Sequence, residues 1–277
     1  MGQPVRLSFW YHCSAQLLGW FRKATHMSQE KTENDTGVYL VVGATGVGKS
    51  DVATALARAG GAPVVVADRI QCFTDLATTS ARAGAEEPGV NRFWLGDRTV
   101  LDGDYPAAEA AQDLIDTVAG LSREHPRVII EGGSVSLLQH LAGQLPSLPW
   151  RLTVRLLPIP DRAAYLAALT ARAHAMLMPV SPHKSLLAEL AAVWRFPSAR
   201  AFVASVNGLE AALEWCTRNS IDPARADALD LPAELRESLA RLIAVRHLEH
   251  GEIQHRVFTE LFQSSPAGIG RHRESAA

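Results

Sequence analysis

The chain has 277 residues, 47% of them hydrophobic and 20% charged, with a formal net charge of −2. This suits one sizeable α/β domain with a real core and argues against a protein that wraps a nucleic acid, which needs a basic surface. Three widely spaced cysteines without a C-x-x-C pair argue against a disulfide scaffold or zinc site and for a reducing cytoplasm, and no apolar run is long enough to span a membrane.

Residues 1–36 are expected to form a poorly ordered extension. The stretch "VRLSFWYHCSAQLLGWF" is interrupted by His12, Ser14 and Gln16 and lacks a small-residue cleavage site, so it does not read as a signal sequence. Val38–Val42 is a short β-branched run, predicted as a buried parallel strand. It leads into "GATGVGKS", Gly43 to Ser50, which fits the phosphate-cradling pattern G-x-x-x-x-G-K-[ST]. Gly43, Gly46 and Gly48 let backbone N–H groups face an anion, and the dipole of the following helix adds to them. Lys49 would neutralise a terminal phosphate, and the Ser50 hydroxyl would help place Mg²⁺ indirectly. Thr45 reads either as a donor to a phosphate oxygen or as a turn residue.

A helix is predicted from Lys49 to Ala59, stopped by Gly60-Gly61, and a second buried strand over Pro63–Ala67. Asp68 follows at that strand's carboxyl end. It is a general base in the ligand crevice, or else a helix N-cap or the partner of Arg69 in a salt bridge. Thr78, Thr79, Ser80 and Arg82 could hold a second phosphate or form a surface loop. Pro106 to Leu121 is predicted as a helix and Arg127–Ile130 as a third strand, running into Glu131-Gly132-Gly133. Glu131 is a candidate acidic partner for Mg²⁺, or a turn residue. Leu152–Leu157 is the fourth expected strand. Strands alternating with helices predict a parallel sheet, with ligands at its carboxyl edge.

From Asp161 the chain becomes alanine- and leucine-rich, with helices expected at about 161–177, 184–195, 198–218 and 232–262. The expectation is one domain over 37–262: a sheet core to about 160, a helical layer to about 262, and a flexible tail over 263–277. Arg155 and Arg172 either add charge near a phosphate or lie on the surface. His247, His250 and His255 read as polar-face residues, not a metal site.

The motifs "GATGVGKS", "DRIQC", "LATTSARA" and "VIIEGGSVSLLQHL" together resemble the adenylate isopentenyltransferases, relatives of the tRNA isopentenyltransferases. The resemblance runs from about Val38 to Phe258. It implies a P-loop NTPase-like parallel sheet flanked by helices, carrying a loop that binds dimethylallyl diphosphate instead of splitting a nucleoside triphosphate. The implied reaction is transfer of the prenyl group, or a hydroxylated analogue, to N6 of AMP with loss of pyrophosphate and with Mg²⁺ as cofactor. On that basis Asp68 would take the N6 proton and Thr45 would bond the bridging oxygen. Lys49, Ser50, Arg155 and the Gly43, Ala44, Gly46, Val47 and Gly48 backbone would hold the diphosphate. Ser80, Arg82, Gly132 and Ser134 would contact the nucleotide, and Asn207 and His250 would set the prenyl donor. The partners implied are AMP and dimethylallyl diphosphate, with a monomeric cytoplasmic enzyme, no membrane and no stable nucleic-acid complex.

The chain departs from the family at Thr78-Thr79-Ser80-Ala81-Arg82-Ala83, where two glycines of the usual loop are missing and a stiffer loop is expected. It departs again at Asn207-Gly208-Leu209-Glu210, where the family has Asp-Gly-Tyr-Arg. The alternatives are a tRNA adenosine dimethylallyltransferase and a small P-loop metabolite kinase.

Overall fold

In the computed structural model, which describes residues 37–228 and 231–263, five strands form one parallel sheet. They are β1 (Gly37–Val42), β2 (Val64–Ala67), β3 (Arg92–Trp94), β4 (Arg127–Gly132) and β5 (Arg151–Leu156), in the spatial order β3-β2-β4-β1-β5. Four of them answer to the predicted apolar runs. The edge strand β3 was not anticipated, because three residues are too few to show a period. The predicted extension over 1–36 and, beyond Gln263, the predicted tail lie outside the described residues.

The register decides where a ligand can sit. Val42 lies opposite Gly132, and Ala67 lies opposite the same glycine. Strands β1, β4 and β2 therefore end at one level, and Gly43, Gly133 and Asp68 begin three adjacent loops at the carboxyl edge.

Eight α-helices surround the sheet among the described residues: α1 (Lys49–Gly60), α2 (Ala107–Leu121), α3 (Val135–Gln144), α4 (Arg162–Leu177), α5 (Leu186–Trp194), the short α6 (Arg200–Val203), α7 (Leu209–Arg218) and α8 (Ala233–Gln263). One sheet face, with Val41, Val64 and Ile129, packs on Val52, Ala53 and Leu56 of α1. The other, with Leu40, Val65 and Ile130, meets Leu114 and Val118 of α2 and Leu137 and Leu141 of α3. That core continues without a break into Leu190, Leu209 and Ile243 of the helical layer. Each such side chain stabilises the fold by roughly 1.5–3 kcal/mol through removal from water.

The helix expected over 198–218 is two helices. The chain leaves α6 after Val203 and re-enters at Leu209 through Gly208, whose φ of 96° lies outside the right-handed helical region. Asn207 thereby leaves the helical repeat and turns toward the sheet edge. The last helix, α8, lies along α4 and brings Ala244 and Leu248 against Ala44, Tyr165 and Leu169, at the root of the phosphate loop. No helix among the described residues is long and apolar enough to cross a membrane.

Candidate active site

The three loops at the carboxyl edge open into a cleft of about 630 Å³ roofed by α4 and α8. Gly46 and Gly48 have φ of 82° and 85°, and a Cβ on Gly46 would stand 2.7 Å from Leu169 Cδ2. Gly48 precedes α1 without a side-chain cap, so the N–H groups of the first turn remain available to an anion. Lys49 folds back, its Nζ donating to Ala44 O at 2.8 Å. Burial pushes its pKa down to about 8, against the pull of Glu131 and Asp68. A diphosphate in the loop would restore the stabilisation that burial removes from the ammonium.

Ser50 donates its hydroxyl hydrogen bond to one oxygen of Glu131, and Arg92 of β3 pairs with the other. Arg92 also donates to Thr54 Oγ1 at 3.1 Å, and both partners of this ion pair are only 4% exposed. The Ser50 hydroxyl and the Glu131 carboxylate are hard oxygen donors of the kind Mg²⁺ accepts. No group of three or more His, Cys, Asp or Glu side chains among the described residues could hold a metal ion. The donor set therefore fits an ion carried chiefly by a diphosphate and water, with the protein adding one or two oxygens.

The Asp68 carboxylate faces two ways. Oδ1 accepts from Ile70 N at 3.0 Å and so caps the turn over Ile70–Cys72. Oδ2 borders Gly133, where a Cβ would lie 3.6 Å from it and 3.5 Å from Lys49 Nζ. A side chain at residue 133 would thus touch both the carboxylate and the ammonium. Burial raises the Asp68 pKa, opposed by the Ile70 N–H and by Lys49. Arg69 does not pair with Asp68; it turns to Asp104 at 3.1 Å and to the Tyr105 carbonyl. His250 stands in the field of Asp68 and Lys49, and burial lowers its pKa.

The cleft brings together Thr45, Gly46, Gly48, Lys49, Ser50, Asp68, Ser80, Ser134, Asn207 and His250 from the sequence-based expectation. Gly43, Ala44 and Val47 form the back of the phosphate loop and do not line the cleft, and neither does Gly132, which ends β4 against Leu138 and Leu40. Arg155 lies in β5 opposite Val41 and is not among the lining residues, whereas Arg172 is. Arg172 is half-buried and in the field of Asp68, with Nε unpartnered among the described residues. Arg82 turns away from the cleft. Its guanidinium is taken up by the Gln71 carbonyl at 3.0 Å and by Asp97, and lies 4.6 Å over the Trp94 ring.

Sequence reasoning misplaced Thr78, Thr79 and His247 and missed Gln254 and Tyr165. Thr78 and Thr79 are buried, not a surface loop, because the Glu189 carboxylate of α5 accepts from their two N–H groups at 2.7 and 2.9 Å. His247, expected on a polar face, is 3% exposed and lines the cleft. Gln254 and Tyr165 grip Thr45 directly. The spacing of His247, His250 and Gln254, i, i+3 and i+7 on α8, is the signal that could have placed them on one face.

Residues 36–268 match the family model described as isopentenyl transferase. The chain is 42% identical over 229 residues to an adenylate dimethylallyltransferase of Rhodococcoides fascians, covering 82% of this chain and 90% of that one. It is 35% identical over 223 residues to an adenylate dimethylallyltransferase of Ralstonia solanacearum, covering 80% and 93%. Among solved structures, the full-length tRNA isopentenylpyrophosphate transferase of Bacillus halodurans has the same fold, with a TM-score of 0.63 at 12% identity over 85% of this chain and 89% of that one.

Proposed function

The chain belongs to the isopentenyl transferase family, and on that premise we propose that it transfers a dimethylallyl group from dimethylallyl diphosphate to N6 of AMP. The observation that carries this reading is the placing, around Gly133, of the Asp68 carboxylate near Lys49 of the phosphate loop, in a chain of this family. Phosphoryl transfer and N-alkylation both use a cation at the phosphates and a base beside the nucleophile; the family and the relatives favour the N-alkylation.

The bond from the allylic carbon to the bridging oxygen breaks, the bond from N6 to that carbon forms, and N6 gives up a proton. Asp68 is the acceptor of that proton. Its raised pKa suits it to the role once it is ionised. The developing charge on the leaving pyrophosphate is met by the loop N–H groups, by Lys49 and by Arg172, which replaces Arg155 in this role. Mg²⁺, when bound, would neutralise part of the diphosphate charge, with Ser50 and Glu131 as its protein partners. Ser80 and Ser134 face the nucleotide side, and Asn207 and His250 the prenyl side. A free nucleotide, and not a tRNA, is the acceptor. The net charge of −2 and the relatives named adenylate dimethylallyltransferase support that choice.

Purified protein incubated with AMP, dimethylallyl diphosphate and Mg²⁺ is expected to yield prenylated AMP by mass spectrometry. Parallel reactions with unmodified tRNA and with ATP should stay blank. Folded protein that binds pyrophosphate but forms no prenylated AMP would overturn the reading.

A further inference from the structure

Helix α8 reaches back to the phosphate loop at one side chain. Gln254, 3% exposed on α8, accepts on Oε1 from Thr45 N at 2.8 Å and from the Thr45 hydroxyl at 3.2 Å. Its Nε2 donates to Gly133 O at 2.6 Å. The amide orientation follows from these partners: a backbone N–H can only donate and a carbonyl can only accept. Tyr165 of α4 donates to Thr45 O at 2.6 Å. All three hydrogen-bonding groups of Thr45 are therefore held from the helical layer.

The two groups that Gln254 joins belong to the two loops whose separation matters most for the reaction. One is the phosphate loop. The other is the Gly133 turn, against which Lys49 Nζ and Asp68 Oδ2 both lie. An amide bonded at both ends is a strut of fixed length between them. We propose, on the reading of the site given above, that Gln254 is a positioning residue. It sets the phosphate loop, and hence the leaving group, at a fixed distance from the Asp68 carboxylate. When a diphosphate enters, the Thr45 hydroxyl rotates toward it at little cost, while the Thr45 N–H stays on Gln254 and keeps the loop in place.

The test compares wild type with Gln254→Met, similar in volume but without polar ends, and with Tyr165→Phe. Calorimetry with pyrophosphate and Mg²⁺ is expected to show about tenfold weaker binding for Gln254→Met, because buried groups on both loops lose their partner, with AMP affinity unchanged. The kcat should fall as well, and KM for dimethylallyl diphosphate should rise more than KM for AMP. The double variant should lose less than the sum of the single losses, since both side chains hold one residue. A Gln254→Met protein with a lower melting temperature but wild-type pyrophosphate affinity and kcat would overturn the proposal, leaving Gln254 a mere core residue. The pyrophosphate titration needs no turnover, so it judges Gln254 even if wild type fails to prenylate AMP.

Discussion

The role proposed for Asp68 rests on how its surroundings hold the carboxylate. Its Oδ1 is fixed by the Ile70 N–H, which leaves Oδ2 beside Gly133 with its orientation set. Asp68→Asn keeps that capping acceptor and the side-chain volume while removing the base. Turnover should fall by about 10²-fold or more, the usual contribution of a positioned base, while calorimetric pyrophosphate affinity stays near wild type. Loss of binding with unaltered turnover per occupied site would remove Asp68 from the role. This residue was legible in the sequence because its signal is local: a carboxylate directly after a β-branched run, in a chain whose previous strand ended in a phosphate loop. Arg172 was not. Nothing in "LTARAHAM" distinguishes a half-buried arginine that lines the cleft from the many exposed ones. Arg155, inside the expected strand Leu152–Leu157, carried the same reading and lies outside the cleft lining.

The helices that roof the site depend on close approach. Gly251 of α8 faces Tyr165 of α4, and a Cβ there would stand 2.1 Å from the tyrosine hydroxyl, which donates to Thr45 O. Gly251→Ala must therefore push Tyr165 off the phosphate loop or push the helices apart. Overpacking of this kind costs about 1–3 kcal/mol, and the better intrinsic helix propensity of alanine offsets only part of it. Urea unfolding should show a net loss of stability, together with weaker pyrophosphate binding. A variant more stable than wild type would mean that the two helices yield freely there. The presence and type of the helices was readable from alanine and leucine periodicity, but their mutual contacts were not. A glycine inside a helical pattern looks like a flaw until the tyrosine that needs the space, 86 positions earlier, is known. The break at Asn207-Gly208 was hidden for the same reason, since the residues on both sides favour helix. The loop at Thr78–Ser80 read as polar surface because its partner, Glu189, lies on α5.

Over the whole molecule, burial pulls stability with pH in two directions. It raises the carboxyls of Asp68, Asp75 and Glu189, whose contribution is fully present below their unfolded values and is lost as pH rises through the folded ones. It lowers His250, and it pushes His247 down to about 3, with Arg172 and His250 adding to the effect and a hydrogen bond to the Asn207 backbone opposing it. For His247 the unfolded chain takes up a proton near pH 6.5 and the fold refuses it until about 3, so stability is lost as pH falls through that window. The slope from this one imidazole is about 1.4 kcal/mol per pH unit. A wild-type profile alone would mix it with the carboxyls, which act in the opposite sense. Comparison with His247→Asn cancels them. The variant should be the less stable protein at neutral pH, where it lacks the packing of the ring. Between about pH 7.5 and about pH 5 its deficit in urea unfolding should shrink by roughly 2 kcal/mol, because only wild type retains the imidazole. A deficit that stays constant across that range would mean that His247 is protonated in the fold at mild acidity, and that water enters the cleft as far as α8.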